Sequence, residues 1–217
     1  MNTEQTRQLG IEFERRIQTM LPQKEFIDKL DTETIYSFLN QYQDKYIHEL
    51  FNNLDKLSEN KSIDIRIGEI LSPLLTTVDL DKDTEKSTEK STDLIDYYNL
   101  KNDFSMYVRS VSKVNRFYRY KDSNILANPP KSIANTYVSN IELKNYIEGP
   151  NDILRILRSP IVSIDKDHLI IIHDMYTNIV GESLTYYRAP KYFTPLIKDA
   201  DCELPIDAFE DLVSGAV

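Results

Sequence analysis

Histidine, cysteine and clustered acidic residues are the side chains of this chain that could bind a metal or act as nucleophiles. The three histidines, His48, His168 and His173, are too few and too scattered to predict a metal site or a catalytic triad. His168 and His173 lie five residues apart in a predicted strand region, so their side chains should point to opposite faces of a sheet. Cys202 is the only cysteine, and nearby acidic residues should raise its pKa and make it a poor nucleophile. We therefore predict no catalytic residues and no enzyme activity.

Phosphate and calcium sites are also poorly supported. The chain has only five glycines, and none forms a phosphate-binding glycine-rich motif. Asp79, Asp81 and Asp83 resemble the start of an EF-hand loop, but Thr84 and Lys90 stand where that loop needs glycine and a bidentate glutamate. This pattern favours a solvated acidic loop over a calcium site. We expect no cofactor and no bound metal.

Charge is unevenly distributed along the chain, whose formal net charge is -9. Residues 79–96 hold seven acidic side chains and three lysines, and residues 199–217 hold six acidic side chains and no base. Residues 104–121 hold five basic side chains, interleaved with aromatic residues, and no acid. That mixture could bind single-stranded nucleic acid. We favour a solvated strand face, or pairing with acidic residues of an adjacent subunit, because the chain as a whole is acidic.

Composition is that of a folded protein. Hydrophobic residues make up 41% of the 217 residues, and 14 tyrosines and 8 phenylalanines are available for a core. No apolar run approaches the roughly 20 residues that span a bilayer. The first residues lack the pattern of a signal peptide, and a single cysteine fits a reducing compartment. We expect a protein without a membrane segment that is made in a cytoplasm.

Three amphipathic helices are predicted in the first third of the chain. Apolar residues recur at helical spacing from Leu9 to Met20, and Pro22 should end that helix. A second helix should begin after Asp31 as its N-cap, and a third near Ser62. The three helices can bury their apolar stripes against each other as a small bundle. The second stripe consists of Ile35, Phe38, Leu39, Tyr42, Tyr46, Leu50, Leu54 and Leu57.

Most of the remaining chain is predicted to be β structure. Residues 104–120 favour a strand with a bulge or turn near Ser110. Later strands are expected at 161–164, 169–173 and 179–188, with turns at 165–167 and at Asn178 or Gly181. Residues 152–158 indicate a short helix, whereas 133–147 fit either a strand or a helix. A last helix after Pro205 should place Phe209, Leu212, Val213 and Ala216 on one side.

The predicted fold class is α+β, with an N-terminal helical bundle, an antiparallel β-sheet subdomain and a C-terminal helix. Residues 1–78 form the helical part, and 79–96 form an acidic low-complexity loop that should be solvated and mobile. Residues 97–198 form the mainly β part. Residues 199–217 form an acidic link and the last helix.

Short motifs in this order resemble those of head-to-tail connector proteins of tailed phages, of the crAss-like type. The closest match is Leu184–Lys191 (Leu-Thr-Tyr-Tyr-Arg-Ala-Pro-Lys), followed by Cys202–Pro205 (Cys-Glu-Leu-Pro) and Phe209–Val213 (Phe-Glu-Asp-Leu-Val). Phe38–Tyr42 resembles a Leu-Asn-containing run in an N-terminal helix of the family. Leu100–Phe104 resembles the start of a middle strand, without the usual proline. The last helix reaches only Val217, where relatives often continue.

The resemblance implies a structural virion protein that forms a ring in the portal–tail neck, extends the DNA channel and joins head to tail. The implied partners are other copies in a ring, usually of twelve, together with the portal and neighbouring neck or tail proteins. DNA would pass through the channel without specific binding. The implied location is the virion neck or tail, after assembly in the host cytoplasm.

Eight basic and aromatic residues are candidates for the subunit interface of such a ring. The basic segment of one copy could meet an acidic segment of the next, and tyrosine is suited to anchoring an interface. The alternative function is a soluble acidic binding or inhibitor module encoded by a phage. The candidate interface residues are Arg109, Lys113, Arg116, Arg119, Tyr118, Tyr120, Tyr187 and Arg188.

Overall fold

The computed structural model describes residues 1–20, 31–56, 61–89, 94–120, 123–126, 129–148, 158–194, 197 and 200–217. The chain divides into two compact units: residues 1–75 with 189–217, here called the helical unit, and residues 76–188, here called the β unit. Helices and mainly antiparallel sheets are both present, which confirms the predicted α+β class. Pro22 and residues 152–157 of the helix predicted at 152–158 lie outside the described residues.

Four helices form most of the helical unit. Asp31 caps the second of them, because its Oδ1 accepts a hydrogen bond of 2.7 Å from the backbone N–H of Thr34. This confirms the predicted N-cap. The third helix begins one residue before Ser62, so Ser62 lies inside its first turn and is not the predicted cap. The helices are α1 (Thr3–Met20), α2 (Thr32–Lys56), α3 (Lys61–Leu71) and α6 (Phe209–Ala216).

Burial in the helical unit follows the predicted apolar stripes in part. Leu9 and Phe13 of α1 are buried, whereas Met20 is 68% exposed. The buried residues of the α2 stripe are Ile35, Leu39, Tyr46 and Leu50. Phe38 is 44% exposed, although its ring stacks on Phe13 with 6.4 Å between the centroids. Tyr36 and Ile47, which lie beside the predicted stripe, are buried instead. The face that α2 buries is therefore wider than the sequence pattern indicates, because α2 has neighbours on more than one side.

Residues from the end of the chain complete the helical unit. The helix α6 packs on both α1 and α2 and buries Leu212 and Val213 completely. Its Gly215 lies against Tyr42, so a side chain at this position would displace the tyrosine ring. The sequence analysis predicts residues 199–217 as a separate segment, whereas in the structure residues 189–217 belong to the same unit as the first three helices.

The link before α6 is also part of that core. Phe193 is fully buried, and its ring meets Tyr36 edge-on with 5.9 Å between the centroids. The side chain of Asn40 holds the Phe193 backbone from both sides, donating to its carbonyl at 2.9 Å and accepting from its N–H at 3.0 Å. Leu204 is fully buried too. An irregular segment therefore has its backbone polar groups satisfied by a helix side chain.

Two sheets make up the β unit. The first has the order β1-β9-β3-β4 with β5 also paired to β3, and the second has the order β2-β8-β7-β6. The pairings of β8 with β2 and β7, and of β3 with β4, β5 and β9, are antiparallel, and that of β6 with β7 is parallel. The strands are β1 (Leu75–Leu80), β2 (Ile95–Asn99), β3 (Phe104–Tyr120), β4 (Ser123–Leu126), β5 (Lys131–Ala134), β6 (Thr136–Tyr137), β7 (Ile161–Asp165), β8 (His168–Ile172) and β9 (Thr177–Arg188).

The core of the β unit lies between the two sheets. Alternate residues of each strand point inward, as the two-residue period of a strand requires. A second apolar cluster covers the outer face of the β2-β8-β7-β6 sheet, where Leu143 and Tyr146 of the helix α5 (Asn140–Glu148) contact it. The inter-sheet core consists of Leu80, Tyr98, Val114, Val162, Leu169, Ile171, Ile179, Leu184 and Tyr186.

Several predictions of local structure are confirmed in the β unit. The long strand over 104–120 forms, with register shifts on both sides of Ser110, between Tyr107 and Arg109 and between Lys113 and Val114. The turn at 165–167 is present, with Lys166 at a φ of 52°. The open choice over 133–147 resolves into both alternatives, because short strands are followed by α5.

Two predictions are wrong. Residues 79–96 are not one continuous loop: β1 ends at Leu80, Thr84–Glu89 form a short helix, α4, and β2 begins at Ile95. Pairing partners distant in sequence stabilise β1 and β2, and a low-complexity pattern carries no information about them. The turn before β9 lies at 174–176, so Asn178 and Gly181 are inside the strand. There Asp174 makes the turn by accepting a hydrogen bond from the Tyr176 N–H at 3.0 Å.

Truncation of a buried α6 side chain should destabilise the helical unit. We expect Leu212→Ala to lower the free energy of unfolding by about 2–5 kcal/mol, because it leaves a cavity where α6 meets α1 and α2. Val217→Ala is the matched control, since Val217 is 39% exposed, and should change the free energy by less than about 0.5 kcal/mol. Urea unfolding followed by circular dichroism measures both. Equal effects of the two substitutions would contradict the packing of α6.

Candidate functional site

One face of the β1-β9-β3 sheet is polar and carries two of the predicted interface residues. In the β3–β9 pairing, Arg109 lies opposite Thr185 and Lys113 lies opposite Gly181, and both basic side chains are exposed. A Cβ added at Gly181 would lie 3.6 Å from Cδ of Lys113, so the lysine stem crosses the strand at the glycine. We call this surface the polar face, and its residues are Thr77, Asp79, Arg109, Lys113, Ser183 and Thr185.

Hydrogen bonds between neighbouring strands organise the polar face. The hydroxyls of Thr77 and Thr185 are 2.9 Å apart, and Ser183 donates a short hydrogen bond to Asp79. These contacts hold the polar side chains of β1 and β9 against each other. The two cations of β3 are left on the exposed part of the face.

The other predicted interface residues are placed differently. Arg116 is half-buried, and its Nη2 donates to the carbonyl of Arg158 at 2.8 Å, so it has a structural contact within the β unit. Tyr187 and Arg188 are half-buried at the end of β9, and burial raises the pKa of the Tyr187 hydroxyl. Tyr118, Arg119 and Tyr120 belong to β3, but their side chains lie outside the described residues. The structure therefore brings together Arg109 and Lys113 alone among the described candidates.

Acidic residues of the C-terminal segment are largely engaged within the helical unit. Glu210 forms an ion pair of 2.6 Å with Arg16, and Asp211 accepts a hydrogen bond of 2.9 Å from the Tyr46 hydroxyl. Asp201 and Glu203 accept hydrogen bonds from Thr3 and from the Lys191 N–H respectively. These carboxylates are less available to a neighbouring subunit than the sequence suggests.

The three aspartates that resemble a calcium loop serve three different purposes. Asp79 accepts from Ser183, and Asp81 lies 3.6 Å from the Lys101 ammonium. Asp83 accepts from the backbone N–H of Lys86 at 3.0 Å, at the start of α4. The carboxylates do not converge, because β1 ends and a helix begins within the segment. Among the described residues, no group of three or more His, Cys, Asp and Glu side chains could hold a metal ion.

His168 and His173 each contact a different carboxylate. The Nε2 of His168 is 3.1 Å from Asp83 Oδ2, and its Nδ1 is 3.1 Å from the Lys86 ammonium. In this geometry the ring can donate from Nε2 to Asp83 and accept at Nδ1 from Lys86. The Nε2 of His173 is 3.6 Å from Asp96 Oδ2. The two side chains thus belong to separate clusters, in accordance with their predicted opposite orientation.

Electrostatics in the Asp96 cluster are dominated by opposite charges. Burial alone would raise the pKa of Asp96, but His173 and Lys82, whose ammonium is 2.6 Å away, lower it overall. Burial alone would lower the pKa of His173, but the hydrogen bond to Asp96 raises it overall. Each group therefore favours the charged form of the other.

Cys202 lies in the core of the helical unit. It is 1% exposed, and its Sγ is 3.6 Å from the side-chain oxygen of Gln43. Burial raises the pKa of the thiol to about 11, and Glu203 and Asp201 add smaller effects in the same direction. The predicted raised pKa is thus present, although burial and not acidity is its main cause.

A buried polar network that the sequence analysis missed lies in the β unit. It consists of Ser110 and Ser112 of β3, Asn135 between β5 and β6, and Glu182 of β9. Ser110, Ser112 and Glu182 are each at most 2% exposed. One feature of the sequence could have indicated this network. Ser110, Ser112 and Val114 lie at alternate positions of one strand, and Val114 lies in the core, so all three side chains should point inward.

Comparisons with known proteins give no match: no protein-family model matches the sequence, and no curated protein matches it either. In the described part of the chain, no helix is long and apolar enough to cross a membrane.

Removal of the Asp96 charge should reverse the direction of the His173 pKa shift. In Asp96→Asn, burial acts on His173 without its carboxylate partner, so we expect the pKa to fall below the ordinary value of 6.5. Nuclear magnetic resonance of the histidine ring protons against pH measures this value.

Asp83→Asn provides the matched control for that titration. It removes the carboxylate that contacts His168 and should leave the His173 pKa above its ordinary value. A His173 pKa that remained raised in Asp96→Asn would show that Asp96 is not its cause.

Proposed function

We propose that this chain is a structural virion protein that forms a ring in the portal–tail neck of a tailed phage. The ring extends the DNA channel, joins head to tail and has no catalytic role. Its partners are other copies of the chain, twelve in the family that it resembles, with the portal and neighbouring neck or tail proteins. The protein assembles in the host cytoplasm and remains in the neck of the virion.

The observation that carries the proposal is the ordered run of motifs from Leu184 to Val213. These motifs supply structural residues to both units. Leu184 and Tyr186 belong to the inter-sheet core, and Cys202, Leu204 and Leu212 are buried in the helical unit. A resemblance carried by core residues supports a shared architecture, because such residues determine packing rather than chemistry.

The polar face provides a surface of the kind that a ring needs. A closed ring joins one surface of each copy to a different surface of the next, so the two surfaces need to be complementary. Arg109 and Lys113 present two exposed cations on a chain whose formal net charge is -9. Contact with an acidic surface of the adjacent copy would steer assembly and fix its register.

The acidic character of the chain suits a channel that carries DNA. Phosphates bind lysine and arginine, so a lining with few cations lets the duplex slide without being retained. Passage without specific binding follows from the same electrostatics. The Arg109 and Lys113 side chains act at the contact between copies in this proposal, not on DNA.

The alternative is a soluble acidic binding or inhibitor module encoded by a phage. The observation in its favour is the formal net charge of -9, which suits a mimic of nucleic-acid charge. Such a module acts as a monomer on one partner and is not retained in particles. Its presence in or absence from virions therefore separates the two functions.

Copy number in purified virions tests the proposed function. We expect the chain at an equal or simple-multiple ratio to the portal protein, measured by quantitative mass spectrometry with labelled peptide standards. A ring requires fixed stoichiometry, whereas an inhibitor does not. Absence from washed particles would contradict the connector function and favour the inhibitor module.

Charge reversal on the polar face tests the contact between copies. We expect a tagged Arg109→Glu/Lys113→Glu chain, supplied together with the wild-type chain during infection, to enter particles at least about tenfold less often. The reason is that like charges at an interface cost several kcal/mol, and about 1.4 kcal/mol already corresponds to tenfold. Quantitative mass spectrometry of the purified particles gives the ratio of variant to wild-type peptides.

Lys131→Glu/Lys144→Glu is the matched control, since both lysines are exposed in the same unit and the change in charge is equal. This control should enter particles as the wild type does. Equal incorporation of the polar-face variant would remove Arg109 and Lys113 from the interface, without affecting the copy-number test.

A further inference from the structure

Glu182 contacts Asn135, the residue at which the chain crosses from one sheet to the other. We call this point the crossover. Glu182 is directly opposite Ser112 in the β3–β9 pairing and points into the β unit. Asn135 is the single residue between β5, which pairs with β3, and β6, which pairs with β7 of the other sheet. The backbone N–H of Asn135 donates to the Ser110 carbonyl at 3.1 Å. The side-chain contacts of Glu182 therefore hold Asn135 in place against β3 and β9.

Four short contacts join the side chains of this network. Ser112 Oγ is 2.6 Å from Glu182 Oε2 and 2.7 Å from Asn135 Oδ1. Asn135 Nδ2 is 2.7 Å from Glu182 Oε1 and 2.8 Å from Ser110 Oγ. All four distances are those of hydrogen bonds, so each contact needs one hydrogen between its two heavy atoms.

The number of hydrogens available decides the protonation state of the carboxyl. The Asn135 amide supplies two hydrogens, one for its contact with Glu182 and one for its contact with Ser110, so the Ser110 hydroxyl hydrogen points elsewhere. Ser112 has a single hydroxyl hydrogen for its two contacts, both with oxygen atoms. The missing hydrogen must come from Glu182. With Oε2 protonated, Glu182 donates to Ser112, Ser112 donates to the Asn135 oxygen, and the Asn135 amide donates to Glu182 and Ser110.

The same result holds if the Asn135 amide is turned around. Its nitrogen would then donate to Ser112, and its oxygen would face Glu182 Oε1 at 2.7 Å. Two acceptor oxygens at that distance repel each other unless one carries a proton. A protonated Glu182 supplies it, so both orientations of the amide require a neutral carboxyl.

We propose that Glu182 is a pH-sensitive latch, protonated when the crossover at Asn135 is closed, whose ionisation opens the contact between β5, β6 and the rest of the β unit. Loss of the proton removes one of the four hydrogen bonds and leaves two oxygens in close contact. It also places a negative charge in a buried site. Both effects act on the crossover, because the Asn135 side chain takes part in three of the four contacts.

The surroundings of Glu182 support a neutral carboxyl. Burial raises its pKa to about 7, and its hydrogen-bonding contacts with Ser112, Ser110 and Asn135 act in the opposite direction but are outweighed. The titratable side chains that sense its charge are Tyr98 of β2 and Tyr107 of β3; burial is the main reason that the pKa of each is raised, and a negative charge on Glu182 adds a smaller effect in the same direction. Within the described ranges, no lysine, arginine or histidine forms an ion pair with Glu182.

The direction of the pH effect follows from proton binding. The closed state holds the proton more tightly than an opened state in which Glu182 has its ordinary pKa of 4.5. The closed state is therefore most favoured at low pH and loses stability as pH rises towards the raised pKa. Between the two values, the equilibrium constant for opening should rise about tenfold for each pH unit.

Carbon-13 nuclear magnetic resonance of the full chain, labelled at the glutamate carboxyl carbons, tests the proton directly. We expect one glutamate resonance to titrate near pH 7 and to be absent in Glu182→Gln. Asp165→Asn, which changes an exposed acid of the same unit, should leave that resonance unchanged. Titration of every glutamate below about pH 5 would overturn the proposal.

Amide hydrogen exchange tests the latch independently of the proton. After correction for the intrinsic pH dependence of exchange, opening at residues 131–137 should become about tenfold more frequent per pH unit between pH 5 and pH 7. In Glu182→Gln, which stays neutral, the opening frequency should not change with pH. A pH-independent opening in the wild type, or an unchanged pH dependence in Glu182→Gln, would overturn the latch.

Discussion

The antiparallel pairing of β3 with β9 fixes which side chains of the β unit face the core and which face outward. With Arg109 opposite Thr185 and Ser112 opposite Glu182, alternate residues point to opposite sides of the sheet. A slip of β3 by one residue would turn Arg109 towards the inter-sheet core, and a slip of β9 by one residue would turn Glu182 onto the polar face. Register shifts near Tyr107 and Lys113 let a strand of 17 residues keep this pattern while it changes neighbours along its length.

The helical unit depends equally on contacts between residues that are distant in sequence. The three N-terminal helices leave an apolar surface that residues 189–217 cover, through Phe193, Leu204 and Leu212. Because the chain returns to this unit after forming the β unit, the helical core is completed by residues almost 200 positions apart. The proposed connector function depends on such fixed scaffolds, since ring contacts need surfaces that keep their shape when copies meet.

Buried polar groups in the two units differ in what they do. Asn40 satisfies the backbone of an irregular segment and so permits that segment to lie in the core. The network of Ser112, Asn135 and Glu182 instead depends on a proton that the solvent supplies. The Asn40 contact has no titratable group and is insensitive to pH. The Glu182 network makes the contact between the two sheets depend on pH. Neither requires a cofactor.

Elements with local sequence signals were predicted correctly: the α2 helix, the Asp31 cap, the aromatic and β-branched strands, and the α+β class. A helical or strand period is set by neighbouring residues, so it can be read without the fold. The tertiary structure alone decided the exposure of Phe38, the short strand and helix within 79–96, and the burial of Glu182. These depend on partners distant in sequence, and neither periodicity nor composition records which segments meet.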